Sequence, residues 1–263
     1  MTPVTGRGDA QVHGAQVSSR PSRIVLWSAP RCASTAFEKA FSQRDDTEVV
    51  HEPFADCYYF SRARRSSRYG TCAHLLEYDA AAAEQSIRVA ASPVIFIKEL
   101  AFQALPYVTS DFIRSVTNTF IVRRPAEVVE SLYRLKPDFT EDELGFTALE
   151  ELWRRARRLT GGPPIVVEST RLRRFPGEVL KQYCNLVGLR FDDAMLRWTD
   201  GRLRQWLPHE AQSQAKWHVT LERSRGILPP GDVTVDVLPK HLAAVERAQR
   251  IYESIVRYSE GPA

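Results

Sequence analysis

The chain has no apolar run long enough to cross a membrane. Stretches such as "SPVIFI" stop well short of the roughly 20 residues a spanning helix needs. Its 4 cysteines, at positions 32, 57, 72 and 184, show neither close pairing nor metal-ligand spacing. That argues against a disulfide framework and fits a reducing compartment. The N-terminal "MTPVTGRGDAQVHGAQVSSRPS" lacks an apolar core of the signal-peptide kind. Residues 1–22 therefore read as a disordered leader, and the expected location is cytoplasmic, with no membrane partner. Lysine is scarce: of 36 basic residues only 6 are lysine, and the net charge is +4. The arginine runs "SRARRSSR" and "LWRRARRL" alternate with acidic stretches ("DDTE", "TEDE") and carry no aromatic interleaving. They speak against a nucleic-acid partner and for a modest positive field around a small anionic ligand, and they leave a homodimer open.

What is present is a core. Hydrophobic residues make up 43% of 263, enough for one α/β domain over 23–263. Short apolar runs alternate with longer helical ones. "RIVLWS" (23–28), "TEVVHEPF" (47–54), "PVIFIKEL" (93–100), "VTNTFIVRR" (116–124) and "PPIVVEST" (163–170) read as strands. Helices are expected over "STAFEKAFSQ", with Ser34 or Thr35 near the N-cap, over "PAEVVESLYRL" behind Pro125, over "ELGFTALEELWRRARRL" behind a Thr140/Glu143 capping box, and over "PGEVLKQYCNLVGL". The tail beyond about residue 200 reads as a lid and a closing helix over 240–257. Buried strands separated by helices imply a three-layer α/β fold, a mainly parallel sheet flanked by helices. Ligands of such sheets bind at the carboxyl ends of the strands. The Arg31 loop, His51–Glu52, Lys98 and Arg123 each lie at such an end.

The first of these ends is unusual. "LWSAPRCASTAFEKAF" (26–41) runs from strand to helix through a turn with no glycine and no GK[ST] signature. Its backbone N–H groups and helix N-terminus form a ready anion site. Arg31 adds a forked charge, and Ser34 and Thr35 add hydroxyls. Cys32 and Ala33 bring the backbone close. The fourth strand end, "FIVRRPAEVVESL", places Arg123 eight residues before Ser131, inside the next helix; Arg124 competes with Arg123 or faces solvent.

With these two loops in this order the chain resembles the PAPS-dependent sulfotransferases, specifically the bacterial and carbohydrate-type branch with a Glu-Pro element, here "HEPF" with "YYFSR" behind it. The resemblance spans about residues 23–227, taking in "VVEST", "GLRFDDAMLRW" and "KWHVTLERSRGI". It implies a P-loop NTPase-like sulfotransferase fold. It also implies PAPS as co-substrate and PAP (adenosine 3′,5′-bisphosphate) as product, without a metal. Arg31, Cys32, Ala33, Ser34 and Thr35 match the loop holding the 5′-phosphosulfate; Arg123 and Ser131 match the pair holding the 3′-phosphate. The lysine-x-histidine pair of the usual cytosolic enzymes is not matched, since Glu99 and Leu100 follow Lys98.

The reaction so implied is sulfuryl transfer to a hydroxyl (or amine) of a small-molecule acceptor. Arg31, and then Lys98, are the cations for the leaving group. His51 and Glu52 are the candidate bases. Neighbours on a strand point to opposite faces, so one of the two is expected to meet the acceptor; the resemblance favours Glu52. The structural alternatives are a Glu52 that anchors its loop through Arg62 or Arg64 and a solvated Lys98 paired with Glu99. Tyr58, Tyr59, Phe60 and Trp217 are candidates for an acceptor pocket. His74, His209, His218 and His241 read as surface or packing residues, and Trp153 and Trp198 as core. The alternatives to a sulfotransferase are a P-loop-type small-molecule kinase and a catalytically silent nucleotide-binding protein of the same fold.

Overall fold

A computed structural model describes residues 21–68, 79–206, 211–231 and 237–259. Residues 1–20 of the expected leader, together with His74 and His209, lie outside the described residues; Ser22 already opens the first strand. Five strands form one sheet: β1 (Ser22–Ser28), β2 (Thr47–His51), β3 (Val94–Leu100), β4 (Thr117–Val122) and β5 (Ile165–Glu168). Their order is β2-β3-β1-β4-β5 and every pairing is parallel. Along β1, β3 and β4 nearly every residue is buried. Helices therefore cover both faces, as the near-continuous apolar runs require. β1 borders β3 on one side and β4 on the other. The chain leaves it in opposite directions, and the crevice opens at its carboxyl end.

The helix Ser34–Phe41, which continues the glycine-free turn, is held by a cluster of rings. Phe41 stacks on Phe96 of β3 at 3.9 Å between centroids, and Tyr183 meets Phe37 edge-on at 4.8 Å. The Tyr183 hydroxyl lies 2.8 Å from Thr119 Oγ1 of β4. A buried aromatic cluster of this kind fixes the helix against the middle of β3 and, through Tyr183, β4.

Two expected elements differ. β2 stops at His51 rather than running on to Phe54, because Glu52 turns to a φ of 44° and the Phe54 N–H donates to the Glu99 carboxylate at 2.9 Å. The helix expected over 143–159 is two helices, Glu141–Leu144 and Phe146–Thr160, broken at Gly145 with a φ of 80°. The Thr140/Glu143 capping box does start the first of them. Gly145 is required twice over. Its φ is left-handed, and a Cβ there would sit 2.9 Å from Cδ of Pro30 in the turn after β1. The tail supplies the helices Ala211–Glu222 and Leu242–Val256. Trp153 and Trp198 are buried in the core.

Candidate functional site

The turn after β1 achieves without glycine what usually needs it. Arg31 and Ala33 adopt φ values of 63° and 65°. Left-handed backbone costs a side-chain-bearing residue about 1–2 kcal/mol. Alternating left-handed residues gather backbone N–H groups on the inner side of a turn, an anion-binding nest. Ala33 is the N-cap residue and no side chain caps the helix. Ser34 and Thr35 thus occupy the first helical positions rather than capping them, and Ser34 Oγ lies 3.0 Å from Ser28 Oγ. Cys32 belongs to the turn through its backbone, and its thiol does not line the cleft. Its side chain is fully buried, its Sγ lies 3.6 Å from the Pro30 carbonyl, and burial pushes the thiol up to about 12.

A cleft of about 360 Å³ opens over this turn, lined among others by Arg31, Ser34, Thr35, Glu52, Lys98, Arg123 and Ser131. Arg31 donates from Nε to Ser131 Oγ at 3.0 Å and from a terminal nitrogen to the Trp217 carbonyl at 3.2 Å. Arg123 donates to the Arg31 carbonyl at 3.0 Å and pairs with Glu127 at 2.9 Å. A third cleft arginine, Arg173, lies in the helix Ser169–Arg174 behind β5 and donates to the carbonyls of Leu228 (3.0 Å) and Pro229 (2.7 Å). Its place was not apparent in an arginine-rich stretch. Among the described residues neither Arg31 nor Arg173 has a carboxylate partner. Burial, and then the proximity of Arg123, lower both guanidinium pKa values. An anion placed here relieves that repulsion. Arg124 sits beside the Tyr252 hydroxyl and does not line the cleft.

Across the cleft, β2 and β3 end in a buried ion pair between Glu52 and Lys98. This replaces both structural alternatives: Lys98 is only 2% exposed and pairs with Glu52, while Glu99 accepts from the backbone N–H groups of Phe54 and Leu100. Burial alone would raise the Glu52 carboxyl, but the Lys98 ammonium outweighs it and holds the group at about 2. The expected strand alternation does not apply, because the left-handed turn at Glu52 ends the pleat. His51 Nε2 consequently lies only 3.8 Å from Glu52 Oε1. Glu52 lines the cleft and His51 stands behind it, with Nδ1 2.8 Å from Glu38.

Of the residues expected at the acceptor, Tyr59 and Trp217 line the cleft, joined by Leu100, Phe102 and Gln103. Tyr58 and Phe60 do not; they pack with Phe102 in a small satellite core, since consecutive residues of a short helix cannot all face one way. His218, expected to be a packing residue, is buried yet lines the cleft, and its ring stacks on Trp206 at 5.0 Å. Burial, and then His51, lower its pKa to about 3. Its position in a tail helix left no periodic signal.

A family model described as "Sulfotransferase domain" matches residues 22–254. Two curated relatives from Arabidopsis thaliana, branched-chain-amino-acid aminotransferase-like proteins 2 and 1, are 26% and 25% identical over 79% and 89% of this chain. The chain spans only 36% and 41% of their lengths. Among solved structures, the sulfotransferase domain from the curacin biosynthetic pathway aligns with a TM-score of 0.54 at 14% identity, covering 90% of this chain and 98% of that one. At that identity the likeness is one of fold.

Proposed function

The chain belongs to the sulfotransferase family, and from that premise we propose that it transfers a sulfuryl group from PAPS to a hydroxyl (or amine) of a small-molecule acceptor, releasing PAP. One observation carries this reading: the Arg31 turn and the Arg123–Ser131 pair touch each other in a single cleft whose opposite wall holds Glu52 and Lys98. The donor is an elongated polyanion. The nest, the uncapped helix start, Arg31, Arg123 and Arg173 together supply what such a ligand needs at neutral pH.

In this mechanism Arg31 stabilises charge developing on the oxygen that leaves sulfur, with Lys98 as a second cation. Glu52 takes the acceptor proton, a contribution of about 10²–10⁴-fold for a positioned base. In the free protein Lys98 keeps Glu52 a weak base. A sulfonate competing for the Lys98 ammonium releases that carboxylate, so donor binding raises the basicity of the group that must act next. Tyr59, Phe102, Leu100 and Trp217 supply apolar surface for the acceptor.

The test is thermal shift with PAP, with ATP–Mg²⁺ and with buffer. Ligand at 100 times its Kd stabilises by about 2.7 kcal/mol, so PAP alone is expected to raise Tm. A rise with ATP–Mg²⁺ instead favours a kinase. A rise with PAP but no transfer from PAPS to a panel of phenols, alcohols and amines favours a silent binding protein.

A further inference from the structure

Behind the proposed base lies a second pair of titratable groups that the proposed transfer reaction does not use. Glu38, on the helix that starts at the anion-binding turn, is fully buried, and the His51 side chain is 3% exposed. His51 Nδ1 lies 2.8 and 3.0 Å from the two Glu38 oxygens. A carboxylate only accepts, so Nδ1 carries a proton, and in the neutral ring Nε2 presents a lone pair. That Nε2 is buried, has no hydrogen-bond partner among the described residues, and faces Glu52 Oε1 at 3.8 Å. Leaving a buried polar atom unpaired costs stability, and purely structural packing gives no return for it.

We infer that Glu38 and His51 are positioning residues that take up the proton Glu52 removes from the acceptor. The inference rests on Glu52 being the base. The acceptor oxygen bonds to sulfur as the bond from sulfur to the bridging oxygen of the donor breaks, and PAP leaves with that electron pair. The acceptor proton passes to the Glu52 carboxylate and from there to His51 Nε2. The result is an imidazolium held between two carboxylates, and Glu52 is restored as an anion. While Lys98 grips Glu52 Oε1 the relay is closed. Drawing Lys98 toward the donor frees that oxygen for His51. The other groups around His51 are Lys98, its register partner on β3 and bound to the same Glu52 oxygen, His218, 5.8 Å between ring centroids, and the Trp206 ring at 5.6 Å; Lys98 opposes a charge on the ring, and Glu38 and Glu52 are the anions that favour it. The pair also ties the donor-side helix to the base, so that both ends of the transfer share one buried contact.

The experiment measures PAPS consumption with water as acceptor against pH, PAP affinity by calorimetry, and His51 titration by NMR of ¹⁵N-histidine-labelled protein. Glu38→Gln keeps an acceptor for Nδ1–H and removes the charge. The expected result is a fall in kcat of at least about tenfold, PAP affinity unchanged within twofold, and a downward move of the His51 NMR titration once the neighbouring anion is removed. The acid limb of kcat moves down with it. A structural role would move Tm but not that limb. An unshifted His51 titration and an unshifted kcat limb in a wild-type-like PAP binder overturn the relay. If Glu38→Gln does not fold, Glu52→Gln decides by NMR: the His51 titration point falls if Nε2 faces that carboxylate, and an unmoved point overturns the inference. Failure of the donor reading is separate, because it appears as wild-type protein that does not bind PAP.

Discussion

Arg31 and Ser131, 100 residues apart in the chain, share a hydrogen bond of 3.0 Å from the guanidinium Nε to the hydroxyl. The two elements proposed to bind the donor's anionic groups therefore form one continuous surface, which Arg123 closes by donating to the Arg31 carbonyl at 3.0 Å. A ligand with anionic groups at both ends can engage both without a change of fold.

Arg123 is expected to matter for affinity more than for folding. Hydrogen bonds to charged groups contribute about 1.5–3 kcal/mol, so Arg123→Ala should raise the Kd for PAP by roughly 10- to 100-fold. Calorimetry checks this. A Kd within twofold of wild type would remove Arg123 from the donor site.

Glu52→Gln should separate chemistry from binding. The amide still fills the space beside Lys98 but accepts no proton, so kcat falls by about 10²–10⁴-fold while PAP binding stays near wild type. Steady-state PAPS consumption and calorimetry on the same preparation measure both. An unchanged kcat transfers the base role elsewhere.

Acid should destabilise the fold in two windows. His218 is lowered from 6.5 to about 3, so its buried neutral form contributes stability above pH 6.5 that is lost as pH falls toward 3. Glu52, lowered from 4.5 to about 2, contributes stability above pH 4.5 that is lost as pH falls toward 2. One proton taken up on unfolding gives a slope of at most about 1.4 kcal/mol per pH unit. Tm should therefore decline from pH 6.5 downward, and His218→Gln should flatten the curve between pH 6.5 and 4.5. Superimposable Tm curves would show that His218 is not held neutral by burial.

Gly145→Ala tests the scaffold behind the turn. The φ of 80° alone disfavours alanine by about 1–2 kcal/mol, and the new Cβ would meet the stiff Pro30 ring at 2.9 Å. The variant should lose stability in urea and also bind PAP more weakly, since Pro30 leads into the left-handed residues. Lost stability with unaltered PAP affinity would mean that the turn does not depend on this contact.

Much of the architecture was readable from residue order. Four of the five strands lie within the apolar runs that signal them and β1 exceeds its run only by Ser22, because strands buried on both faces leave little room for polar residues. Arg31, Ser34, Thr35 and Arg123 were readable because each sits just beyond a strand or at the start of the following helix, and Ser131 because of its spacing from Arg123 within the helix Pro125–Leu135. Glu38 was not. A glutamate in a short amphipathic helix ordinarily faces water, and nothing local shows that a histidine from β2 will meet it. The left-handed backbone at Glu52 was equally hidden, since no glycine or asparagine marks it; that turn, rather than strand alternation, leaves Glu52 and not His51 lining the cleft. Arg173 was lost among neighbouring arginines.

The sheet order carries one more implication. The strand ends bearing Lys98, His51 and Glu52 lie on one side of β1, and those bearing Arg123 and Arg173 lie on the other. In the proposed reaction β1 is the border between a half that would hold the 3′-phosphate end of the donor and a half that carries the proposed base. Descendants of this chain can thus diversify the segments after β2 and β3, and with them the molecules they modify, while inheriting the opposite half intact.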